Sequence, residues 1–170
     1  KPKISFESSL AVGIESEREA FYLMVERPLD VEKTIADLNK QLPGGIKIHD
    51  VRLVAKKKAA PRETETPSLR YRIVLNETQP DFRKIEAFLS ADRFLLTVKD
   101  KKGTDRQIDL KAVVSHLSLA DTNALLLETR RLPGKNVRPR EIIRAVFSLN
   151  QKQVEAARVI KINSEITNER

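Results

Sequence analysis

The chain has 170 residues, of which 40% are hydrophobic and 33% charged, so it can form one domain or two small ones with real cores. It contains no cysteine, which excludes disulfides, a thiol nucleophile and a cysteine-ligated zinc or iron–sulfur site within this chain. No apolar run could span a bilayer and no secretory hydrophobic segment follows Lys1, so we expect a reduced, cytoplasmic setting.

The first 55 residues predict the order β-β-α-β. Residues 1–6 alternate as a strand, and residues 8–17 read as a loop that pivots at Gly13. Residues 19–26 predict a strand that is apolar on both faces and therefore central and buried. A helix follows, because Asp30 is a good N-cap, an apolar stripe repeats at helical spacing, and Pro43-Gly44-Gly45 ends it. The stripe is Val31, Ile35, Leu38 and Leu42. Residues 46–55 then predict a strand.

The second half predicts the order β-α-β-β-β-α-β. Its first strand alternates apolar residues with Arg70 and Arg72, so it sends one face to a core and presents two arginines on the other. Two helices begin at Pro80 and Pro139, and the first carries Phe82, Ile85, Phe88 and Leu89 on one side. The remaining strands are predicted at residues 93–99, 107–117, 124–130 and 157–162.

These orders predict an α+β protein with tandem ferredoxin-like units of the βαββαβ type. The first unit, residues 1–55, lacks its opening strand and helix, and the second, residues 68–166, has one extra strand. A basic linker loop covers residues 56–67 and a tail covers residues 167–170. A sheet without its opening strand and helix leaves an open edge and an uncovered apolar face, so either the sequence starts inside the domain or another chain supplies the missing part.

The net charge of +8 is concentrated in two windows. Residues 56–72 hold six cations and two acids, and residues 130–144 hold six cations and one acid, so the rest of the chain is close to neutral. This distribution favours a polyanion site, although a solvated basic loop and an ordinary charged helix face remain the alternative. The second window also surrounds the Pro139 helix start, where free N–H groups and the helix dipole favour an anion. The candidate nucleic-acid-binding residues are Lys56, Lys57, Lys58, Arg70, Arg72, Arg130, Arg131, Lys135, Arg138, Arg140 and Arg144.

The sequence contains no recognisable catalytic or metal-binding motif. Neither His49 nor His116 has sequence neighbours that form a metal-ligand or Ser/His/Asp pattern, and the glycines form no phosphate-binding fingerprint. There is no tryptophan, and Tyr22 and Tyr71 are the two tyrosines, so base stacking on sheet aromatics is disfavoured. The sequence favours a chain without catalytic residues or bound metal that contacts phosphates and recognises shape.

A resemblance to a known family supplements these patterns. The stretch KPKISFESSLAVGIESEREAFYLMVERPLDVEKTIADLNKQLPGGIKI resembles the bacterial radical-SAM-linked domain of unknown function, through its Pro-Lys-Ile-Ser-Phe strand, its Leu-x-Val-Gly-Ile-Glu-Ser loop and its Pro-Leu-Asp before the helix. The Arg138-Pro139 helix start is also similar. The resemblance covers essentially the whole chain.

The resemblance implies partners and cofactors outside this chain. Such domains are fused to, or encoded beside, a radical-SAM-like protein, often near an RNA-processing ribonuclease, and no reaction is established for the domain itself. An iron–sulfur cluster and S-adenosylmethionine are therefore expected only on the partner or a fused domain. The family also carries a strand, a helix and a Ser-His-x-Asp motif ahead of Pro-Lys-Ile-Ser-Phe, and this sequence begins after them.

Two functional hypotheses follow. In the first, the chain binds a structured RNA, such as tRNA or rRNA, through phosphate contacts and presents it to the radical-SAM partner. In the second, it is a protein-interaction scaffold that docks on that partner without binding RNA. Neither hypothesis involves a membrane.

Overall fold

The computed structural model describes residues 3–6, 10–54, 68–99, 103–130, 132 and 137–162. The chain divides into two compact units, one formed by Lys1–Ser9 with Glu19–Arg62 and the other by Leu10–Arg18 with Glu63–Arg170. The predicted linker and tail lie outside the described residues. None of the helices in the described ranges is long and apolar enough to cross a membrane.

Helices and strands alternate along the described residues, which confirms the α+β class. The strands are β1 (Ile4–Phe6), β2 (Ile14–Ser16), β3 (Phe21–Leu23), β4 (Ser68–Val74), β5 (Leu95–Lys99), β6 (Asp105–Asp109), β7 (Val114–Asp121), β8 (Ala124–Arg130) and β9 (Arg158–Ile162). The helices are α1 (Val31–Gln41), α2 (Phe82–Ser90), α3 (Leu110–Val113), α4 (Pro139–Phe147) and α5 (Gln151–Ala156).

The first unit contains an antiparallel β1–β3 ribbon and helix α1. Asp30 caps α1 by accepting a hydrogen bond from the Lys33 N–H, as predicted, and the apolar stripe of α1 is half-buried. The prediction of a central, buried strand over residues 19–26 is wrong, because β3 is three residues long and Phe21 and Leu23 are 40% and 37% exposed. A strand long enough to be buried on both sides needs partners on each edge, and β3 pairs only with β1 among the described strands.

The strand predicted over residues 46–55 is also wrong within the described part, residues 46–54, which forms no strand. The Asn39 side chain instead accepts from the Ile48 N–H and donates to the Ile48 carbonyl. In a strand, the N–H and the carbonyl of Ile48 would bond to a neighbouring strand. Here the Asn39 amide bonds both groups instead, so no neighbouring strand is needed.

The second unit is built on a five-stranded sheet in the order β2-β9-β4-β8-β7. The pairs β9–β4, β4–β8 and β8–β7 are antiparallel, whereas β2 runs parallel to β9. Residues 8–17 were predicted as a loop of the first unit, but this segment supplies β2 to the sheet of the second unit. A three-residue strand carries too little alternation to be distinguished from a loop in the sequence.

Helices α2 and α4 pack together over one face of this sheet. Strand β4 alternates as predicted, with Tyr71 and Ile73 buried in the core and Arg70 and Arg72 exposed. The core combines the inward residues of the strands with those of the helices, including Ile73, Ile85, Phe88, Leu125, Leu127, Ile142, Ile143 and Val159. Of the four α2 residues predicted to be buried, Ile85 and Phe88 are buried. Phe82 and Leu89 are 55% and 52% exposed, so the prediction is wrong for these two.

The predicted strand over residues 107–117 is interrupted by a helical turn. The Asp109 carboxylate accepts from the N–H groups of Phe94 and Lys111, which caps α3 and divides the segment into β6 and β7. Strand β5 pairs with β6 in a separate hairpin, so the extra strand is not part of the five-stranded sheet. Helix α5 was not predicted, although Asn150 and Gln153 form a capping box at its start.

Candidate functional site

The face of the five-stranded sheet opposite α2 and α4, here called the open face, carries most of the exposed charges of the strands. Strand alternation places Arg70 and Arg72 on it, since their neighbours Tyr71 and Ile73 point into the core. The ladder aligns Arg70 with Glu128 and Ile162, and Arg72 with Leu126 and Ile160. The same pairing adds Arg130, His116 and Ser118 to this face.

Each of three open-face arginines is paired with a carboxylate. The Nε atom of Arg70 lies 3.1 Å from Oε2 of Glu128, and Arg72 contacts Asp121. Arg158 holds Glu15 with two hydrogen bonds of 2.7 Å each. The open face is therefore a mosaic of opposite charges, separated by the half-buried side chains of Leu126, Ile160 and Ile162.

Two carboxylates of this mosaic, Glu128 and Glu15, have lowered pKa values and are held in their charged form. A hydrogen bond from the Ser68 side chain, followed by the contact with Arg70, lowers the pKa of Glu128. The pKa of Glu15 is lowered by its hydrogen bond to Arg158. A phosphate arriving at Arg70 or Arg158 would have to displace a carboxylate that remains anionic at neutral pH.

The helix α4 begins at Pro139, as predicted, but its N-terminus already holds a carboxylate. Glu141 accepts from the Arg138 N–H at 2.9 Å, and Pro139 has no N–H to offer. The Glu141 N–H bonds the Arg138 carbonyl. The predicted anion site relied on free N–H groups and on the positive end of the helix dipole. The Glu141 carboxylate already occupies part of this position.

Arg140 has a role inside the fold that differs from the predicted phosphate contact. Its Nη2 atom donates to the carbonyls of Gly13 and Ala157 at 3.2 and 3.1 Å, and Nη1 donates to those of Val154 and Glu155 at 3.3 Å. The guanidinium therefore joins three segments: the turn before β2, the C-terminal end of α5 and the start of β9. The backbone partners of Arg140 could not be found from the sequence, because none of them depends on a side-chain type.

The predicted binding residues that the structure describes lie on two sides of the sheet. Arg70, Arg72 and Arg130 share the open face, whereas Arg138 and Arg144 belong to the helix layer on the opposite side of the sheet. All five are exposed. The other predicted residues, Lys56, Lys57, Lys58, Arg131 and Lys135, lie outside the described residues.

The open face also contains a serine–histidine pair that the sequence pattern did not suggest. His116 Nε2 lies 2.9 Å from Ser118 Oγ, and Glu128 is the cross-strand neighbour of His116. The described hydrogen bonds link Glu128 to Arg70, and none of them links it to the imidazole. A catalytic triad needs that third link, so the hydrogen bonds of the described residues do not complete a triad at this pair.

A cavity of about 240 Å³ in the second unit is lined by Leu75, Asp81, Lys84, Phe147 and Gln153, among others. Its charged groups already have structural roles, because Asp81 caps α2 and the Lys84 ammonium bonds the Phe147 carbonyl. His49 is exposed, and the described ranges contain no cluster of three His, Asp or Glu residues suited to a metal ion.

The chain belongs to a family of uncharacterized proteins conserved in bacteria, DUF2344, whose sequence model matches residues 1–139. Comparisons with curated proteins and with solved structures found no match. The matched range includes the first unit and the part of the second unit that ends at the first residue of α4.

Proposed function

We propose that the chain is an accessory module without catalytic activity that docks on a protein partner through the open face. The observation that supports this best is the mosaic of Arg70–Glu128, Arg72–Asp121 and Arg158–Glu15 pairs with apolar side chains between them. A protein surface can place a charge of opposite sign against each arginine and each carboxylate of this mosaic and can also cover the apolar side chains between them. A polyanion such as RNA is attracted by the arginines but repelled by the carboxylates.

We further propose that the four strands β9, β4, β8 and β7 form a ferredoxin-like sheet. Their spatial order and their antiparallel pairing match the βαββαβ arrangement, with β5–β6 inserted as a hairpin and β2 added at the edge. In this fold both helices cover one sheet face, which leaves the opposite face available for recognition.

The partner that we propose is the radical-SAM protein fused to the chain or encoded beside it. The family resemblance supports this partner, and the absence of cysteine means that the cluster ligands have to lie outside this chain. In this proposal the chain positions the partner or its substrate, while the cluster and S-adenosylmethionine remain on the partner.

Charge reversal of both signs tests the docking proposal. Arg72→Glu and Glu128→Lys should each weaken binding to the purified radical-SAM partner by about tenfold or more, because each leaves a like-charge contact in the interface. Arg106→Glu is the matched control, since Arg106 is an exposed arginine on the β5–β6 hairpin. Isothermal titration calorimetry measures the affinities. Unchanged affinity in both reversals, with the control also unchanged, would refute docking through this face.

RNA binding is the second candidate, supported by a separate observation. Arg130, Arg138 and Arg144 are exposed and form no ion pair with any residue in the described ranges. An RNA that reached from Arg130 on the open face round to Arg138 and Arg144 in the helix layer would make three phosphate contacts, and these would give a slope of log affinity against log salt of roughly −2 to −3. Fluorescence anisotropy with a structured RNA at several salt concentrations measures this slope.

Two variants separate RNA binding from protein docking. If RNA binds, Arg138→Glu should flatten the salt slope, and Glu128→Gln should tighten binding because it removes a negative charge beside Arg70. If the open face docks a protein, Glu128→Gln should weaken that complex. A flat slope in the unmodified chain excludes phosphate contacts as the basis of function.

A further inference from the structure

The two edges of the five-stranded sheet differ in a way that points to an additional binding surface. One edge is β2, which is three residues long and carries Glu15 in an ion pair with Arg158. The other edge is β7, which has eight residues and pairs with β8 alone among the described strands. Native proteins usually shorten, charge or cover an edge strand, since its free N–H and C=O groups attract another strand.

Strand β7 has few of these protections. Its sequence, VSHLSLAD, contains neither lysine nor proline, and its single carboxylate, Asp121, lies at the end and contacts Arg72. Register shifts against β8 occur between Val114 and His116 and between Leu119 and Asp121. The regular part of this edge is therefore the four-residue stretch from His116 to Leu119.

An apolar strip on α2 runs beside this edge. Ile85 and Phe88 point into the core, and the Lys84 ammonium bonds the Phe147 carbonyl of α4, which fixes how the helix is rotated. Helix α2 packs against α4 and against β7, so the flank opposite Lys84 is the one on the β7 side. At 100° per residue, that flank carries Phe82 and Leu89.

Three exposed apolar side chains thus accompany an edge that no other described strand pairs with. Phe82, Leu89 and Leu119 are 55%, 52% and 40% exposed, and Leu119 lies on the same sheet face as α2, because it is paired with the buried Leu125. A binding partner that has both a strand edge and an apolar helix flank could pair with β7 and cover the apolar strip of α2 at the same time. The chain itself is such a structure.

We propose that a second copy of this chain pairs antiparallel along β7 and forms a two-fold symmetric dimer with a continuous ten-stranded sheet. The two α2 helices then run antiparallel across the axis, which sets Phe82 of one copy against Leu89 of the other. On the solvent-facing side of the strip, α2 carries Glu86 and then Arg83. These two side chains allow self-complementary contacts between copies, because they have opposite signs, are both exposed and form no ion pair with each other or with other described residues.

The size of this surface sets the expected strength of the dimer. One four-residue strand stretch and three half-exposed apolar side chains bury less than the roughly 800 Å² per partner of a standard stable interface. The dimer should therefore dissociate on dilution. The proposal is independent of docking on the open face, since the new sheet would leave that face uncovered.

Sedimentation velocity over a range of concentrations tests the dimer with the full chain. The unmodified 19.3 kDa chain should shift from monomer to dimer as concentration rises, and the double variant Leu89→Glu/Leu119→Glu should remain monomeric. Leu53→Glu is the matched control, because Leu53 is a 61% exposed leucine in the first unit and its substitution should leave the dimer intact. Circular dichroism melts confirm that each variant is folded. A chain that stays monomeric at its highest soluble concentration overturns the proposal.

Site-specific cross-linking provides a second measurement. Because the chain has no cysteine, the variants His116→Cys and Ser118→Cys carry single thiols on the β7 edge, and the paired strands bring such positions within disulfide distance. Oxidation of one variant, or of their mixture, should yield a covalent dimer, whereas Thr97→Cys on β5 should not cross-link. A dimer in solution that cross-links through Thr97→Cys and not through either β7 position would place the interface elsewhere and refute pairing along β7.

Discussion

The guanidinium of Arg140 allows a stability prediction to be worked out from its contacts. Replacing Arg140 by methionine retains an unbranched aliphatic stem and removes the donors to four backbone carbonyls. Hydrogen bonds to a charged group each contribute about 1.5–3 kcal/mol to stability. The four bonds are long, at 3.1 to 3.3 Å, and the Nε atom is buried without a hydrogen-bond partner among the residues that the structure describes, which offsets part of the gain. We therefore expect Arg140→Met to lower the free energy of unfolding by about 2–4 kcal/mol.

Urea denaturation followed by far-ultraviolet circular dichroism measures this change. Arg144→Met is the control, because Arg144 is exposed on the same helix and its substitution should stay within about 0.5 kcal/mol. Arg140→Lys should lie between the two, since one ammonium cannot reach carbonyls from three segments at once. Amide exchange should also accelerate at Ile14–Ser16 when Arg140 is replaced, because β2 loses the bond at Gly13. Equal midpoints for Arg140→Met and Arg144→Met would refute the structural role.

Three further predictions concern individual positions. Gly13→Ala should destabilise the fold by about 1 kcal/mol because Gly13 has φ of 81°, and not because of crowding, since a Cβ there would lie 3.8 Å from the nearest Arg140 atom. Ser148→Gly should raise the urea midpoint by an amount equivalent to about 0.5–1 kcal/mol, because the α4 C-cap residue has φ of 54°. The lowered pKa of Glu15 means that its ion pair with Arg158 contributes at neutral pH and is lost as pH falls through the folded-state pKa. Glu15→Gln should accordingly flatten the acid side of the stability profile, and an unchanged pH dependence would contradict that assignment.

The sequence was most informative where a pattern was long. Strand β4 alternates over seven residues, so its buried face was predicted correctly, and the predicted start of α4 at Pro139 is also correct. Phe82 and Leu89 were predicted to be buried but are exposed. Helical spacing identifies the apolar side of a helix, but it does not show how much of that side the neighbouring elements cover.

Predictions failed where one side chain or a distant partner decides the structure. The carboxylate of Asp109 ends β6, and the amide of Asn39 replaces a strand partner for Ile48, although neither residue interrupts the apolar pattern. The contacts of the candidate-site arginines were even harder to predict, because their partners lie far away in the sequence. The sequence identified the arginines, but their assignment to Glu128, Asp121 or backbone carbonyls follows from strand register and helix packing, which local patterns do not contain.

The insertion of β2 beside β9 has a consequence for the order in which the protein forms. Glu15 and Arg158 are 143 positions apart, so this ladder joins nearly opposite ends of the described chain. Contacts of such separation are slow to form, and a chain made from its N-terminus must complete β4, β8 and β9 before β2 has a place to dock. During synthesis residues 14–16 therefore wait as an unpaired segment until β9 has been made. The last step of folding then closes the sheet with a segment that was synthesised well before the strand beside it.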